Sequence, residues 1–323
     1  MTVSIRAVDP ARPDFFGAAE GIDLRQPATP GDVAAIEAGM DRFAVLVFHD
    51  QRTDDAQQIA FSRNFGTLEQ ATYNARAILS PRRIISLSMG IVRYNLERLR
   101  RGEERVRKLQ RRRLPRYVED ISNVNRLNQV RTQTDPGRLA SLRNTLWHSD
   151  SSFKSTPAKY SLLHARIVPS CGGNTEFADM RAAYDALDDT TKTVIQNLVC
   201  AHSQIYSYSM LGVIEKHVAK SPPVPQRLVR RHPVTGRRSL FLSSHAGAII
   251  GWPTPEARVL LRDLTEHATQ HEFVHIHKWR QYDLVMWDNR VVMHRARRSD
   301  ANEVRELHRT TVADVAPTLQ QEA

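Results

Sequence analysis

The sequence predicts a mainly β protein: a β-barrel with helices packed around it, folded as one domain. Three observations point there. From residue 141 onward, short apolar runs recur between turn residues, among them YSLLHARIV (160–168), DLVMWDN (283–289) and ELHRTTVADV (306–315). Such runs mark buried or half-buried strands. Helical patterns fall before or between these runs rather than forming a bundle of their own. No internal repeat or low-complexity linker divides the 323 residues, and large β-barrels often exceed about 200 residues as one unit.

Residues 1–28 read as irregular chain with a short apolar turn or strand at Phe15-Phe16. Thr29-Pro30 starts a helix, with Thr29 as N-cap and Pro30 in the first helical position. FAVLVF (43–48) is a buried strand. Thr53-Asp54-Asp55 opens a second helix with acid in its first turn, where the helix dipole favours it, and Gly66 ends it. A strand is expected within 78–90 and an amphipathic helix over 91–117, closed near Pro115. DISNVN (120–125) returns to strand, and LWHSDSSF (146–153) forms another. After YSLLHARIV come the turn PSCGG (169–173) and the strand NTEFADM (174–180). Helices follow at 181–187 and after Asp188. Two strands joined near Thr235-Gly236 precede a helix opened by Thr254-Pro255-Glu256. FVHIHKW (273–279), DLVMWDN, VVMHRA (291–296) and ELHRTTVADV complete the barrel.

Composition narrows the class. Hydrophobic residues make up 41% of the chain, ordinary for a globular protein. No apolar run approaches the roughly 18 residues a membrane span needs. The N-terminus lacks the apolar stretch of a secretory signal. Cys171 and Cys200 form neither a disulfide framework nor a CxxC motif, which fits a reducing cytoplasm. The formal charge is +11, and residues 91–116 alone hold ten Arg and one Lys against three Glu. Clustered arginine can bind phosphates. No RNA-binding signature or helix-turn-helix pattern accompanies it, so nucleic acid is not the expected partner.

The chemistry centres on His148-Ser149-Asp150. On a strand, residues i and i+2 share a face, so the imidazole and the carboxylate can converge on one metal ion. A second, distant His would complete the two-His-one-carboxylate facial triad of non-haem Fe(II) oxygenases. His294, on the strand after the Asp288-Asn289 turn, is the candidate. His275 and His277 compete, but their basic neighbours suggest a solvated face. Arg305 and Arg309 follow His294 on one strand face, where the ordinary alternative is a pair of surface cations. His202 and His245 are more ordinarily structural. Trp147 and Trp287 flank the motifs as shields or as core.

LWHSDSSF, YSLL, VPSCGGNTEFADMRAAYDAL (168–187), DLVMWDNRVVMHRARR (283–298) and DAQQIAFSRNFGTLE (55–69) occur in one order. Together they resemble the TfdA/TauD family of Fe(II)- and 2-oxoglutarate-dependent dioxygenases, nearest its 2,4-dichlorophenoxyacetate (aryloxyalkanoate) branch. The resemblance covers about residues 40–69 and 141–314. It implies a double-stranded β-helix, or jelly-roll, core, with His148, Asp150 and His294 as iron ligands. It places Thr175 and Arg305 on the distal carboxylate of 2-oxoglutarate. Arg309 falls on the position that meets the substrate's acid group, and Asn144 on a substrate-side position. The implied cosubstrates are 2-oxoglutarate and O2. The implied substrate is a small carboxylic acid, hydroxylated beside an ether oxygen so that it collapses to a phenol and a 2-oxo acid. A cytoplasmic homo-oligomer is expected.

The segment at about 76–135 is longer and more basic than the family's usual loop. It reads as a helical insertion within a single 1–323 domain: a solvated amphipathic helix packed on the barrel, a lid, an oligomer contact, or an anionic-partner surface. Two alternatives therefore stand beside the aryloxyalkanoate reading: a taurine or alkylsulfonate dioxygenase, and a non-catalytic barrel binding anionic partners through its basic helix.

Overall fold

The computed structural model describes residues 3–71, 113–212 and 222–321. In chain order the elements are β1 (Ser4–Ala7), β2 (Gly17–Glu20), α1 (Pro30–Phe43), β3 (Val45–Phe48), α2 (Asp55–Ser62) and β4 (Glu119–Ser122). Next come α3 (Pro136–Ser141), β5 (Ala158–Ile167), β6 (Thr175–Asp179), α4 (Met180–Asp185), α5 (Asp189–Ile195) and β7 (Val199–His202). Then follow α6 (Gln204–Met210), β8 (Val224–Arg227), β9 (Val229–Arg231), β10 (Arg238–Leu240), β11 (Ala246–Ile249) and α7 (Thr254–Ala268). The last are β12 (Val274–His277), β13 (Leu284–Asp288), β14 (Val292–Ala296) and β15 (Glu306–Ala313).

Among the described residues these strands form a seven-stranded sheet ordered β1-β2-β3-β13-β5-β15-β4 and a three-stranded sheet ordered β12-β6-β14. A second three-stranded sheet, β11-β7-β8, and the pair β10-β9 lie beside them. The result is the expected mainly β architecture with flanking helices.

Alternation along the strands sorts the side chains into layers. In β3, Leu46 and Phe48 point to one side of the large sheet, and Val45 and Val47 to the other; in β13, Leu284 and Met286 oppose Val285 and Trp287. The first set packs against Ile36, Met40 and Phe43 of α1 and Phe61 of α2. The second set meets Phe177 of β6 and Val292 of β14, so it fills the space between the two main sheets. Beyond the small sheet, Ala178 and Met293 pack against Ala183 of α4 and Leu261 and Leu264 of α7. Trp287 and Phe177 are fully buried, and each such side chain contributes about 2–3 kcal/mol of burial free energy.

Strong local signals form the structures expected of them. Thr29 caps α1 through a capping box with Asp32, and Asp54 caps α2 through one with Gln57. Gly236, with φ of 68°, turns the chain between β9 and β10. Two expectations need correction. Residues 1–28 contain two strands, β1 and β2, whose few small or mixed residues carry no apolar run. The His148 segment is not a strand: His148 makes an isolated backbone bridge to His294, and the chain then turns at Asp150, with Ser151 at φ 54°. The expected strand within 78–90, and the basic helix up to residue 112, lie outside the described residues. Its expected last turn is not helical. There Arg113 is only 13% exposed and pairs with Asp120 at 2.6 Å and Glu306 at 2.5 Å. Among the described residues no helix is long and apolar enough to cross a membrane.

Candidate active site

The period of two that builds the layer between the sheets also builds the site. His294 lies two residues after Val292, Thr175 two before Phe177, Ser161 two before Leu163. Arg305 and Arg309 flank Leu307 by two on either side. Val292, Phe177, Leu163 and Leu307 all belong to the inter-sheet core, so the polar side chains two residues away face the same space.

His148 is carried to His294 by a reciprocal backbone pair, N to O at 3.0 Å and 2.9 Å. The two rings stand 4.2 Å apart between centroids. Asp150 lies 3.7 Å from His148 Nε2 and 3.8 Å from His294 Nε2. All three residues are buried, and one ligand atom from each lies within 4.8 Å of the others. His148 Nδ1 sits 2.8 Å from the Leu146 carbonyl. That contact places the proton on Nδ1 and leaves the Nε2 lone pair toward the cluster. Burial pushes both imidazoles below their ordinary pKa, so each is a neutral donor. Burial alone would raise Asp150, yet the Arg309 guanidinium, the two imidazoles and the Ser161 hydroxyl hold it well below the usual carboxylate range. Two neutral imidazole nitrogens and one carboxylate are a donor set that suits Fe(II).

Asp150 is held from behind. Ser161 Oγ donates to its Oδ2 at 2.7 Å, and Asn289 Nδ2 donates to Ser161 Oγ at 2.9 Å. Asn289 Oδ1 accepts from the Asp150 backbone N–H and from Trp287 Nε1, both at 3.0 Å. Such outer contacts fix a ligand's orientation, and losing one typically costs about 10–100-fold in metal affinity. Ser161→Ala is expected to weaken metal binding by about that factor, measured by competition with a chelating dye, without unfolding the chain.

One narrow cavity runs from His148 and His294 past Trp287 and Leu163 to Thr175 and Arg305. Arg305 is 8% exposed. Its Nε and Nη2 donate to the Gly173 carbonyl at 3.2 and 3.0 Å. Burial without a facing carboxylate pushes its pKa down to about 10. Thr175 Oγ1 accepts from Trp279 Nε1 at 3.0 Å, which leaves its proton free to donate. The paired glycines make room: both have φ near 70°, and a Cβ on Gly173 would lie 3.0 Å from Arg305 Nε.

A second cavity of about 250 Å³ opens on the other side of the cluster. Asn144, Glu119, Arg143, Lys154, Glu69, His245 and the rings of Tyr117 and Phe153 line it. Arg309 lines both cavities. Its Nη1 donates to Asp150 Oδ1 at 2.5 Å and its Nη2 to Glu119.

A profile of the taurine catabolism dioxygenase TauD, TfdA family matches residues 5–311. The chain belongs to this family. Among its relatives is the alpha-ketoglutarate-dependent 2,4-dichlorophenoxyacetate dioxygenase of Cupriavidus pinatubonensis, 41% identical over 95% of this chain and 98% of that one. The (S)-phenoxypropionate/alpha-ketoglutarate-dioxygenase of Sphingobium herbicidovorans is 34% identical over 86% and 85%. The crystal structure of AAD-2 in complex with Mn(II) and N-oxalylglycine superposes with a TM-score of 0.81 at 46% identity, covering 99% of this chain and all of that one. The core of this TauD/TfdA-family chain is the jelly roll, its two main sheets facing each other across the site.

Every residue singled out for the site in the TauD/TfdA-family sequence lies on these two cavities: His148, Asp150, His294, Thr175, Arg305, Asn144 and Arg309. The competing pair does not form a second cluster. His275 stacks on Phe16 at 3.9 Å, and His277 lies 3.2 Å from the buried Asp283. His202 is a core residue stacked on Phe241, whereas His245 faces the second cavity. Trp287 packs on His294 at 4.6 Å; Trp147 carries the Arg295 guanidinium outside the site. Cys171 is exposed in the glycine turn. Sequence reasoning missed Ser161, Asn289 and Glu119. A polar Ser in the apolar run YSLLHARIV was the one available signal.

Proposed function

We propose that this TauD/TfdA-family protein is an Fe(II)- and 2-oxoglutarate-dependent dioxygenase that cleaves the ether of an aryloxyalkanoate. It releases a phenol and a 2-oxo acid. The observation that carries this reading is the pairing of a buried His-Asp-His cluster with a cavity that ends on a guanidinium lacking any carboxylate partner among the described residues. Metal ligands stand at one end and a carboxylate receptor at the other, the two groups a 2-oxo diacid requires, and the cavity, about 20 Å³ as it stands, would widen to admit it. The names of the relatives agree.

His148, Asp150 and His294 would hold the iron; three protein ligands leave room for cosubstrate and dioxygen. Bound Fe(II) supplies the activation of O2, which is used to convert 2-oxoglutarate to succinate and CO2 and to hydroxylate one substrate C–H. Arg305 pairs with the distal carboxylate of 2-oxoglutarate in the planar, two-bond geometry that suits arginine, and the Thr175 hydroxyl donates to the same group. Arg309 takes the substrate's acid and Asn144 flanks it. That places the carbon between acid and ether oxygen toward the cluster, a positioning effect of the kind that supplies much of enzymatic rate. Hydroxylation there gives a hemiacetal; its O–H proton passes to the phenolate oxygen as the C–O bond breaks. Tyr117 and Phe153 offer faces for the aromatic ring.

The reading further takes the chain as one cytoplasmic domain that self-associates; of the lid expected at about 76–135, residues up to 112 lie outside the described residues, and 119–122 belong to the large sheet as β4.

The test supplies protein, Fe(II), 2-oxoglutarate and air with either 2,4-dichlorophenoxyacetate or taurine. Phenol release matched by one succinate per phenol is expected from the first, and no sulfite from the second. Sulfite release without phenol would move the enzyme to the sulfonate branch. Neither product from iron-loaded protein that binds 2-oxoglutarate would remove both substrates.

A further inference from the structure

Arg305 and Arg309 lie two repeats of the strand alternation apart, with Leu307 between them, yet the structure treats them oppositely. Among the described residues the Arg305 guanidinium meets only a carbonyl. The Arg309 fork is closed on two carboxylates of the protein itself, Asp150 and Glu119, while its Nε has no partner among the described residues. Glu119 is placed there by register: β4 pairs with β15 so that Glu119 stands directly opposite Arg309. β4 is four residues long and forms the edge of the seven-stranded sheet. The Glu119 side chain is 34% exposed, against 13% for Arg309 and 5% for Asp150. Of the two carboxylates, Asp150 is therefore fixed within the buried cluster. Glu119 can rotate into the second cavity without breaking a backbone bond.

We propose that Glu119 is a stand-in for the substrate's carboxylate. It occupies the outer edge of Arg309 and gives way when an acid of suitable reach enters, which makes it a specificity-determining residue. The proposal rests on the reading of Arg309 as the substrate's anchor. A buried guanidinium left without its counter-charge is costly; exchange of one carboxylate for another keeps Arg309 paired throughout. It also raises the threshold for entry. A neutral analogue has no charge with which to replace Glu119, and a doubly charged head group would face both Asp150 and Glu119. Arg305 has no such occupant among the described residues, so 2-oxoglutarate would meet no competing acid from them.

The experiment uses the full chain loaded anaerobically with Fe(II) and 2-oxoglutarate. Its visible charge-transfer band is titrated with 2,4-dichlorophenoxyacetate and with the matching alcohol, 2-(2,4-dichlorophenoxy)ethanol. Glu119→Gln keeps the shape and removes the charge. It is expected to bind the acid roughly tenfold more tightly than the natural chain, the low end of one charge-assisted hydrogen bond, and the alcohol equally. Glu119→Asp, with its carboxylate drawn back, should fall between. An intact band in each variant reports a folded, loaded site. If the natural chain binds the acid and Glu119→Gln binds it no better, the exchange is overturned and Glu119 merely orients Arg309. If the natural chain answers to no acid, the anchor reading falls and the proposal falls with it.

Discussion

Arg305→Ala is expected to raise the KM for 2-oxoglutarate by about 100-fold while lowering kcat far less. Each charge-assisted hydrogen bond is worth about 1.5–3 kcal/mol, and the guanidinium has its remaining donors facing the cavity. In the proposed role the carboxylate it would receive lies at the far end of the cosubstrate from the cluster, so its loss should weaken binding more than chemistry. Stability should move the other way. In the natural chain a cation 8% exposed meets, among the described residues, only the Gly173 carbonyl, and burial disfavours its charge enough to bring its pKa down to about 10. Arg305→Met removes that uncompensated charge and fills similar space, so the ligand-free variant should melt at or above the natural chain. 2-Oxoglutarate should raise the Tm of the natural chain through linked binding and leave Arg305→Met unmoved. A variant that melts lower and still binds 2-oxoglutarate would show that Arg305 serves the fold rather than the ligand.

His294→Ala is expected to abolish turnover and the visible band together. Loss of an outer contact costs about 10–100-fold in metal affinity, and loss of a ligand should exceed that. His294 Nδ1 has no hydrogen-bond partner among the described residues, so the ring gives the surrounding chain no polar contact through that atom. Its packing against Trp287 and Phe177 should cost moderate stability, which circular dichroism and thermal melting separate from metal loss. His294→Gln, of closer volume, controls for the cavity. A folded variant with unchanged iron binding would remove His294 from the ligand set.

Much of this site was legible in the chain because its chemistry is carried by short motifs. His148 and Asp150 sit within three residues, and His294 follows a turn signal. Alternation in FAVLVF and DLVMWDN foretold which side chains reach which layer. The expected roles of Thr175, Asn144 and the two arginines came from resemblance, since a lone Thr or Arg has no local mark. What was not legible depends on register between distant strands. Glu119 and Arg309 meet because β4 pairs with β15 in one alignment, and Ser161 reaches Asp150 because β5 crosses behind the turn. The turn itself escaped notice because nothing in HSDSS announces the left-handed backbone at Ser151. β1 and β2 were missed because a pair of four-residue strands rich in Ala needs no apolar run.

His294 and Met293 are neighbours on β14, one facing the cluster and the other buried among the helices on the far side. A slip of β14 by one position against β6 would swap them, turning a thioether into the cluster and an imidazole into an apolar layer. The backbone bridge between His148 and His294 joins the His148 segment to β14 in one alignment. A chain with that slip would lose the His294 ligand together with the packing of Met293, so correct register and a complete ligand set stand or fall together.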